Sequence, residues 1–422
     1  MTENILGSLR ELIQRYLAQQ DKGPFVPGQT RIPLNVPTFG WEEVWEALES
    51  LLSTQVTMGT KVRQFEAMFA EYVGAKHAVM VNSGSSANLL ALSVLTNPLL
   101  AEHLQPGDEV ITPAVTWATT VFPILNTGLV PVLVDVDLNT FNLIPEEVEK
   151  AIISKSRAIL LVHLLGNPCH MDEIMAIARR HNLLVIEDAC EAHGAEYDGR
   201  KVGSFGDIAT FSFFFSHHIT TIEGGMLLTN NDEYAELARA LRVFGWTRDL
   251  QAKDAIAKQH PEVDPRFLFV NIGYNLRPTE IQGAFGIHQM GKLEGYIEVR
   301  RENARYWGEK LGTSGHLLLH REGEGTRHVW FGYPLMVQPD APFSRKQLAD
   351  YLEAKGVETR PIMAGNIDEQ PAMRLFPYRK VGDLPNSRLI HRNAFFFGNH
   401  HGIGQEERAA VVEYIAEFMK SV

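Results

Sequence analysis

Short apolar runs alternate with stretches of helical spacing along most of the chain. The runs PVLVDVD (131–137), AILLVHLLG (158–166) and LLVIEDA (183–189) are almost continuously apolar, and each has an amphipathic helical stretch beside it. Strands that are buried on both faces have this composition, and the helices between them supply the crossovers of a parallel sheet. The pattern predicts an α/β fold with a largely parallel sheet that helices cover on both faces.

The C-terminal part of the chain follows a different pattern. A long helix is predicted at about 292–311, and the segments 328–337, 344–357 and 358–363 then read as strand, helix and strand. An amphipathic helix closes the chain at 406–422. Because 422 residues exceed what a single core usually serves, we expect an N-terminal arm (1–32), a large domain (33–290) and a small α+β domain (291–422).

Charge and cysteine content exclude several classes of function. The formal net charge is −12, so a basic face for nucleic acid or anionic membranes is not expected. No apolar run reaches the length of a membrane span, and the acidic residues near the N-terminus argue against a signal peptide. Cys169 and Cys190 suit a reducing cytoplasm and are too few for an iron–sulfur cluster, which usually takes four cysteines. We therefore expect a cytoplasmic protein that binds neither nucleic acid nor membranes.

Four polar stretches directly follow predicted strands. Open α/β sheets bind ligands at the carboxyl ends of their strands. A Gly/Ser turn at a helix N-terminus suits a phosphate, an indole can stack on a flat ring, and a carboxylate can pair with a protonated ring nitrogen. Taken singly, each signal is weak: the Gly/Ser stretch can be a simple capped turn, Trp117 is more often a core side chain, and Asp188 can be a helix cap. The stretches are Ser83 to Ser86, Trp117, Asp188, and Ser212 with His217 and His218.

In their order and spacing these stretches resemble the fold-type I pyridoxal-phosphate enzymes. More narrowly, the chain from about Pro33 onward is similar to the DegT/DnrJ/EryC1/StrS family of nucleotide-sugar aminotransferases. The resemblance implies an aspartate-aminotransferase-like fold and pyridoxal 5'-phosphate or pyridoxamine 5'-phosphate as the cofactor. By the same resemblance, Gly84, Ser85 and Ser212 hold the cofactor phosphate, and Trp117 stacks on the ring.

Three further cofactor residues are implied by the resemblance. Asp188 opens the stretch DACEAHG, which matches a family motif whose acid pairs with the ring nitrogen. Glu191 in the same stretch stands where the family usually has Gln. Asn275 in GYNLRP matches an asparagine that contacts the phosphate in the partner subunit. A homodimer with shared active sites is therefore implied.

The stretch FSFFFSHHITTIEGG, residues 211–225, departs from the family at one position. The family pattern is S-F-x-x-x-K-x-(I/L)-x-x-x-(E/D)-G-G, and its lysine forms a Schiff base with the cofactor. His217 stands at that position. Imidazole cannot store the cofactor covalently, but a neutral histidine can remove a proton at pH 7. We expect His217 to be the catalytic base and His218 to face away from it, because neighbours on an extended chain point to opposite sides.

A histidine at this position resembles the 3-dehydratase branch of the family, which makes 3,6-dideoxyhexoses for bacterial lipopolysaccharide O-antigen. One subtype, the CDP-4-keto-6-deoxyglucose 3-dehydrases, has a cysteine-ligated [2Fe–2S] cluster, but the corresponding segment here, 250–267, has no cysteine. The other subtype, the GDP-4-keto-6-deoxymannose 3-dehydratases, has no cluster, and GYNLRPTEIQGAFGI and FFFGNHHG are similar to it. The arm with FVPGQTRIP is more similar to the first subtype.

This resemblance implies a lyase that removes the C3 hydroxyl of a nucleotide-linked 4-keto-6-deoxyhexose. Pyridoxamine phosphate would be the working form of the cofactor, without an iron–sulfur cluster. L-Glutamate would restore its amine, and ammonia would be released. Two other functions stay open: a nucleotide-sugar aminotransferase, in which His217 would replace the lysine in proton transfer, and a catalytically inactive homologue that binds the cofactor.

Two groups of residues have less specific signals. A metal site lacks a complete matching set of ligands; its candidates would be His163, His170, His217 and His218. Three arginines could contact a phosphate or the glutamate carboxylate, because a guanidinium matches both groups. Each is equally consistent with a structural ion pair; they are Arg248, Arg277 and Arg360.

Overall fold

The computed structural model describes residues 2–19, 23–312 and 314–422, so residues 1 and 20–22 of the predicted N-terminal arm lie outside it. In chain order the α-helices are α1 (Thr2–Ala18), α2 (Trp41–Leu52), α3 (Thr60–Val73), α4 (Gly84–Leu95), α5 (Ala118–Asn126), α6 (Pro145–Ala151), α7 (Met171–His181), α8 (Asp232–Arg242), α9 (Lys253–Gln259), α10 (Glu280–Met290), α11 (Leu293–Leu311), α12 (Arg345–Ala354), α13 (Pro385–Asn393) and α14 (Gln405–Ser421).

The β-strands, also in chain order, are β1 (His77–Val81), β2 (Glu109–Pro113), β3 (Val130–Val134), β4 (Ser156–Val162), β5 (Leu184–Asp188), β6 (Glu196–Tyr197), β7 (Arg200–Lys201), β8 (Ile208–Ser212), β9 (Gly225–Thr229), β10 (Leu317–Leu319), β11 (Thr326–Arg327), β12 (Gly332–Val337), β13 (Thr359–Pro361), β14 (Arg379–Lys380) and β15 (Ala394–Gly398). They form one large sheet, a four-stranded sheet in the C-terminal part, and the small sheet β11-β6-β7.

The large sheet has eight strands in the order β1-β9-β8-β5-β4-β2-β3-β14. Strand β9 is antiparallel to both of its neighbours, and the other pairs are parallel. Helices cover both faces: Leu90 of α4 packs in one core with Leu160 of β4, and Phe69 of α3 packs in another with Phe211 of β8. Burial on both faces explains the continuous apolar runs. The predicted fold class is confirmed.

The four-stranded sheet, β10-β12-β15-β13, is antiparallel and packs with α11, α12 and α14 around a second core. Trp307 of α11 meets Phe397 of β15 edge-on, with ring centroids 4.9 Å apart. Two backbone pairings join the C-terminal part to the rest of the chain: β14 pairs with β3 of the large sheet, and Val357 pairs with Ile32 of the arm. The division of the chain at residue 290 stays a prediction.

The arm begins with α1, which lies against α2. The guanidinium carbon of Arg10 stands 4.9 Å above the ring of Trp41, a cation–π contact between the two helices. In the ranges that the structure describes, none of the helices combines the length and the apolar character that crossing a membrane requires.

The carboxyl ends of β1, β2, β5 and β8 lie at one edge of the large sheet. Strands β2, β4, β5 and β8 are parallel, and β1 runs in the same direction as β8 because both are antiparallel to β9. The chain therefore delivers Ser83, Trp117, Asp188 and Ser212 to the same edge, each at or just after a strand end.

Candidate active site

A cavity of about 400 Å³ opens at this edge of the sheet. The C-terminal part closes one side of it with Phe331, just before β12, and Phe396 of β15. The cavity therefore lies between the large sheet and the four-stranded sheet. The residues predicted for the site that line it are Gly84, Ser85, Trp117, Asp188, Glu191, Ser212 and His217.

One wall of the cavity is the first turn of α4. Ser83 caps this helix, since its Oγ accepts a hydrogen bond from the Ser86 amide at 3.1 Å. The free amides of the turn and the positive end of the helix dipole are available to a ligand. Gly84 lies so close to Ser212 that an added Cβ would stand 2.5 Å from the Ser212 Cβ. This cradle of backbone amides and a hydroxyl fits a phosphate group.

Asp188 is held by two residues that the sequence analysis missed. Its Oδ2 accepts hydrogen bonds from Asn88 Nδ2 and Thr120 Oγ1, both at 2.8 Å. Asn88 is itself fixed, because Thr210 Oγ1 donates to its Oδ1 at 2.6 Å. The Asp188 Oδ1 accepts the Cys190 amide at 3.2 Å. These three donors fix the orientation of the carboxylate, an arrangement that fits pairing with a protonated ring nitrogen.

Trp117 and Glu191 offer the cavity a flat surface and an acid. Trp117 precedes α5 and leaves 56% of its surface exposed, so its indole is free to stack on a ligand ring. The Glu191 Oε2 accepts the Leu165 amide at 2.7 Å. Removal from water, helped by the charge of Asp188, raises the pKa of Glu191 to about 8. At pH 7 this carboxyl is mostly protonated and can donate a hydrogen bond, as the family's usual Gln can.

His217 lies in the loop between β8 and β9. Its ring packs against Phe331, with centroids 5.1 Å apart. Nδ1 is buried without a hydrogen-bond partner among the described residues, which leaves Nε2 as the ring nitrogen that meets the cavity. Burial lowers the pKa of His217 to about 3, and the positive charge of Arg300 contributes to the lowering. The ring is therefore neutral at pH 7 and able to accept a proton.

His218 is buried, and its Nε2 stands 2.9 Å from the Val329 carbonyl oxygen. Since a carbonyl only accepts, Nε2 carries the proton of this ring. His218 thus faces away from the cavity as expected, but the reason was wrong. The segment is a series of turns, in which the His217 amide donates to the Phe214 carbonyl at 3.0 Å, rather than an extended strand.

Asn275 does not line the cavity of its own chain. Its side chain is exposed, and its Oδ1 accepts a hydrogen bond from Arg277 Nε at 3.1 Å. The next carbonyl, of Leu276, accepts the amide of Asn82 at 3.0 Å. The loop therefore lies beside the first turn of α4 while the Asn275 amide group points elsewhere.

The three predicted arginines also lie outside the cavity. Arg360 pairs with Glu358 at 2.7 Å. The guanidinium carbons of Arg248 and Arg277 each stand 5.2 Å above an aromatic ring. The candidate metal ligands are dispersed as well: His163 is buried against Glu187, and no group of three His, Cys, Asp or Glu side chains in the described ranges could hold a metal ion.

This arrangement of a helix N-terminus, an oriented carboxylate and a strand-end indole can be compared with known proteins. Residues 38–416 match the model of the DegT/DnrJ/EryC1/StrS aminotransferase family. The chain belongs to this family. The resemblance seen in the sequence is thereby confirmed.

Individual relatives cover nearly the whole chain. It is 39% identical to a dTDP-4-dehydro-2,6-dideoxy-D-glucose 3-dehydratase of Saccharopolyspora spinosa, over 99% of this chain and 92% of that protein. It is also 39% identical to a GDP-4-keto-6-deoxy-D-mannose 3-dehydratase of Escherichia coli O55:H7, over 90% of this chain and 97% of that protein. A crystal structure of a GDP-4-keto-6-deoxymannose-3-dehydratase with a trapped PLP-glutamate geminal diamine has a TM-score of 0.85 at 37% identity, covering 92% of this chain and 100% of that one.

Proposed function

We propose that the protein is a pyridoxamine-phosphate-dependent 3-dehydratase, which removes the C3 hydroxyl of a nucleotide-linked 4-keto-6-deoxyhexose for dideoxysugar biosynthesis. The observation that carries the proposal is the place of His217. It lines the cavity at the position where the family has its lysine. The residues suited to hold a cofactor line the same cavity; they are Gly84, Ser212, Trp117 and Asp188. The 3-dehydratase names of both relatives described above support this reading.

Different side chains of the cavity would bind the cofactor and transfer the proton. The cofactor, when bound, supplies an amine for the C4 ketone and a ring that accepts electrons. The first turn of α4 and Ser212 would hold its phosphate, and Trp117 would cover its ring. Asp188 would keep the ring nitrogen protonated, since the charges attract. His217 would take at Nε2 the proton that leaves the carbon bearing the cofactor's amine, and the C3–O bond would break with that loss.

The overall reaction balances with glutamate and without an external reductant. The sugar loses one oxygen atom and is reduced at C3. Glutamate becomes 2-oxoglutarate, which gains one oxygen, and the nitrogen leaves as ammonia. The PLP-glutamate geminal diamine trapped in the structural relative supports glutamate as the amino donor. An iron–sulfur cluster is not required for this balance, which agrees with a chain of two cysteines.

Product analysis tests the proposal. The purified protein would be incubated with pyridoxamine phosphate, L-glutamate and a metal chelator, but no reductase, together with GDP-, CDP- or dTDP-linked 4-keto-6-deoxyhexose. We expect a 4-keto-3,6-dideoxy sugar and ammonia in equal amounts from at least one substrate. An amino sugar would instead identify an aminotransferase, and no turnover with all three would identify a cofactor-binding homologue. A strict requirement for a reductase would overturn the cluster-free reaction.

We also place this reaction in the cytoplasm. Cys169 and Cys190 are both free thiols, which is the usual state of cysteines in a reducing compartment.

We infer further that the protein is a homodimer with shared active sites. Asn275 is exposed and lies outside the cavity of its own chain, although its loop is next to the phosphate turn. The same loop exposes apolar side chains, with Ile272 93% and Phe269 50% exposed. Contiguous exposed apolar surface commonly marks a protein–protein contact. A partner subunit would cover these side chains and receive the Asn275 amide.

Mixed dimers test this arrangement. The His217→Asn and Asn275→Ala variants would be co-expressed with different tags, and the heterodimer isolated. If Asn275 serves the partner's site, one site of the heterodimer has both native residues, and activity returns to about half of the native level. If Asn275 serves its own chain, neither site is complete and the activity stays as low as in the two parent variants.

A further inference from the structure

Arg300 of α11 is a buried cation. It is 2% exposed, and within the described ranges it forms no ion pair with Asp or Glu. Its Nη1 donates to three backbone carbonyls, those of Trp330 at 3.3 Å, Phe331 at 2.8 Å and Asn399. Its Nε is buried and has no hydrogen-bond partner in the part of the chain that the structure describes. A buried charge that lacks a counter-charge costs stability.

Two of the carbonyls that Arg300 binds, those of Trp330 and Phe331, belong to a strained turn beside the loop of His217. Trp330 has a φ of 49°, which is rare for a bulky residue. The turn sends the Val329 carbonyl to His218 Nε2, at 2.9 Å, and the ring of Phe331 to His217. Arg300 therefore fixes the segment that forms the wall of both histidines.

A second turn, at Leu165 and Gly166, fixes this turn from the other side. The amides of Val329 and Phe331 donate to the carbonyls of Gly166 (3.0 Å) and Leu165 (2.8 Å), which have φ values of 87° and 54°. A Cβ on Gly166 would stand 2.6 Å from the Val329 Cγ2, so the two turns are in close contact. The Leu165 amide in turn donates to Glu191. The turn at 329–331, against which His217 packs, is thus held by Arg300 on one side and by the 165–166 turn on the other.

The same geometry places a positive charge next to a group of histidines. The rings of His217 and His218 lie 6.1 and 5.6 Å from the ring of His193; His193 and His218 are fully buried, and His217 is half-buried at the cavity. Burial lowers the pKa of each histidine, and the charge of Arg300 adds to the lowering. The titratable groups facing His217 are Arg300, His193 and His218 around the ring, and Asp188, Cys190, Glu191 and Glu223 in the cavity wall.

We propose that Arg300 is a positioning residue that keeps His217 neutral at rest and makes its protonated form short-lived. Under the proposed function, on which this step rests, the C3–O bond breaks with its electron pair on oxygen. The proton that Nε2 has taken then passes to that oxygen, and water leaves. Like-charge repulsion from Arg300 favours this second transfer, because it disfavours the imidazolium ring. No oxidant or reductant enters the step.

The test follows the titration of the His217 ring without substrate or cofactor, so it is independent of the proposed reaction. The protein would be labelled with 13C at the histidine rings, and the His217 signal assigned by its loss in His217→Asn. In the native protein we expect the ring to stay neutral at pH 5. In Arg300→Met the titration midpoint should rise by on the order of one pH unit, and Arg300→Lys, which keeps the charge, should restore most of the native behaviour.

Arg345→Met is the matched control. Arg345 also donates to backbone carbonyls, those of His391 and Ala394, at 3.0 and 3.3 Å, but it is not among the charges that act on His217. It should cost stability without moving the His217 titration. The proposal is overturned if the midpoint in Arg300→Met equals the native one. If Arg300→Met does not fold, a native His217 that titrates near the ordinary value of about 6.5 overturns it equally. If the titration is as expected but the product analysis fails, the proposed reaction is rejected and the role of Arg300 is not.

Discussion

Asn88 and Asp188 are 100 positions apart in the chain, yet Asn88 Nδ2 donates a hydrogen bond to Asp188 Oδ2 at 2.8 Å. Asn88 comes from α4, the helix whose first turn includes the phosphate cradle, and Asp188 ends β5. One helix therefore presents its N-terminus to the cavity and orients the carboxylate for the ring nitrogen. Both ends of the cofactor would be placed by the same rigid element.

Asn88→Ala tests this coupling. It removes a hydrogen bond to a carboxylate, which is worth about 1.5–3 kcal/mol, so we expect the affinity for pyridoxamine phosphate to fall by roughly tenfold or more. Cofactor fluorescence would measure the dissociation constant. Ser93→Ala is the control on the same helix, since the Ser93 Oγ donates to the Leu89 carbonyl instead. Native affinity in Asn88→Ala would show that Thr120 alone orients Asp188.

The adjacent histidines should separate catalysis from stability. His217→Asn should bind the cofactor and keep its thermal stability, but dehydrate ~10²–10⁴-fold more slowly, the usual loss when a general base is removed. His218→Asn removes the contact with the Val329 carbonyl and should cost about 1–3 kcal/mol of stability, with a smaller effect on turnover. Rates and melting temperatures would be measured for both variants. If His218→Asn has the larger loss of rate at full folding, the base was assigned to the wrong ring.

The sequence located those site residues that directly follow strand ends. Apolar runs mark the strands, and the carboxyl end of a parallel strand is a ligand position whatever its neighbours are, so Trp117 and Asp188 could be predicted. Asn88 could not, because a polar residue inside an apolar helix has no local signal for a partner 100 positions away. Arg300 was missed for the same reason: its binding partners are backbone carbonyls, and a carbonyl leaves no mark in the sequence. The place of His218 was predicted from strand alternation, although local turns determine it.

Cofactor storage gives a chemical test of the position of His217. In the described ranges no lysine lines the cavity, so borohydride treatment of the native protein with pyridoxal phosphate should leave the cofactor removable by denaturation. His217→Lys should bind it covalently, and mass spectrometry should find the adduct in the peptide that includes residue 217. His218→Lys is the control, because its side chain points to Val329. A native adduct at any lysine would contradict the role of His217.

The carboxyl of Glu191 should make the stability of the protein depend on pH. Its pKa is raised to about 8, chiefly by burial, from an ordinary value of 4.5. Between these values the folded protein holds a proton that the unfolded chain releases, so the free energy of unfolding falls as the pH rises from about 4.5 to 8. Glu191→Gln keeps an oxygen for the Leu165 amide and has no proton to lose. The variant should therefore gain stability over the native protein from pH 5 to pH 8.

Melting temperatures of both proteins at pH 5, 6.5 and 8 would measure this difference. Glu309→Gln, on an exposed position of α11, is the control for loss of a negative charge and should track the native protein at every pH. Glu191→Gln should also keep a near-native affinity for pyridoxamine phosphate at pH 7, because a neutral Gln donates a hydrogen bond as the protonated Glu191 does. A Glu191→Gln variant that loses stability most at pH 8 would show that the native carboxyl is ionised, and its hydrogen-bond donor role would be rejected with it.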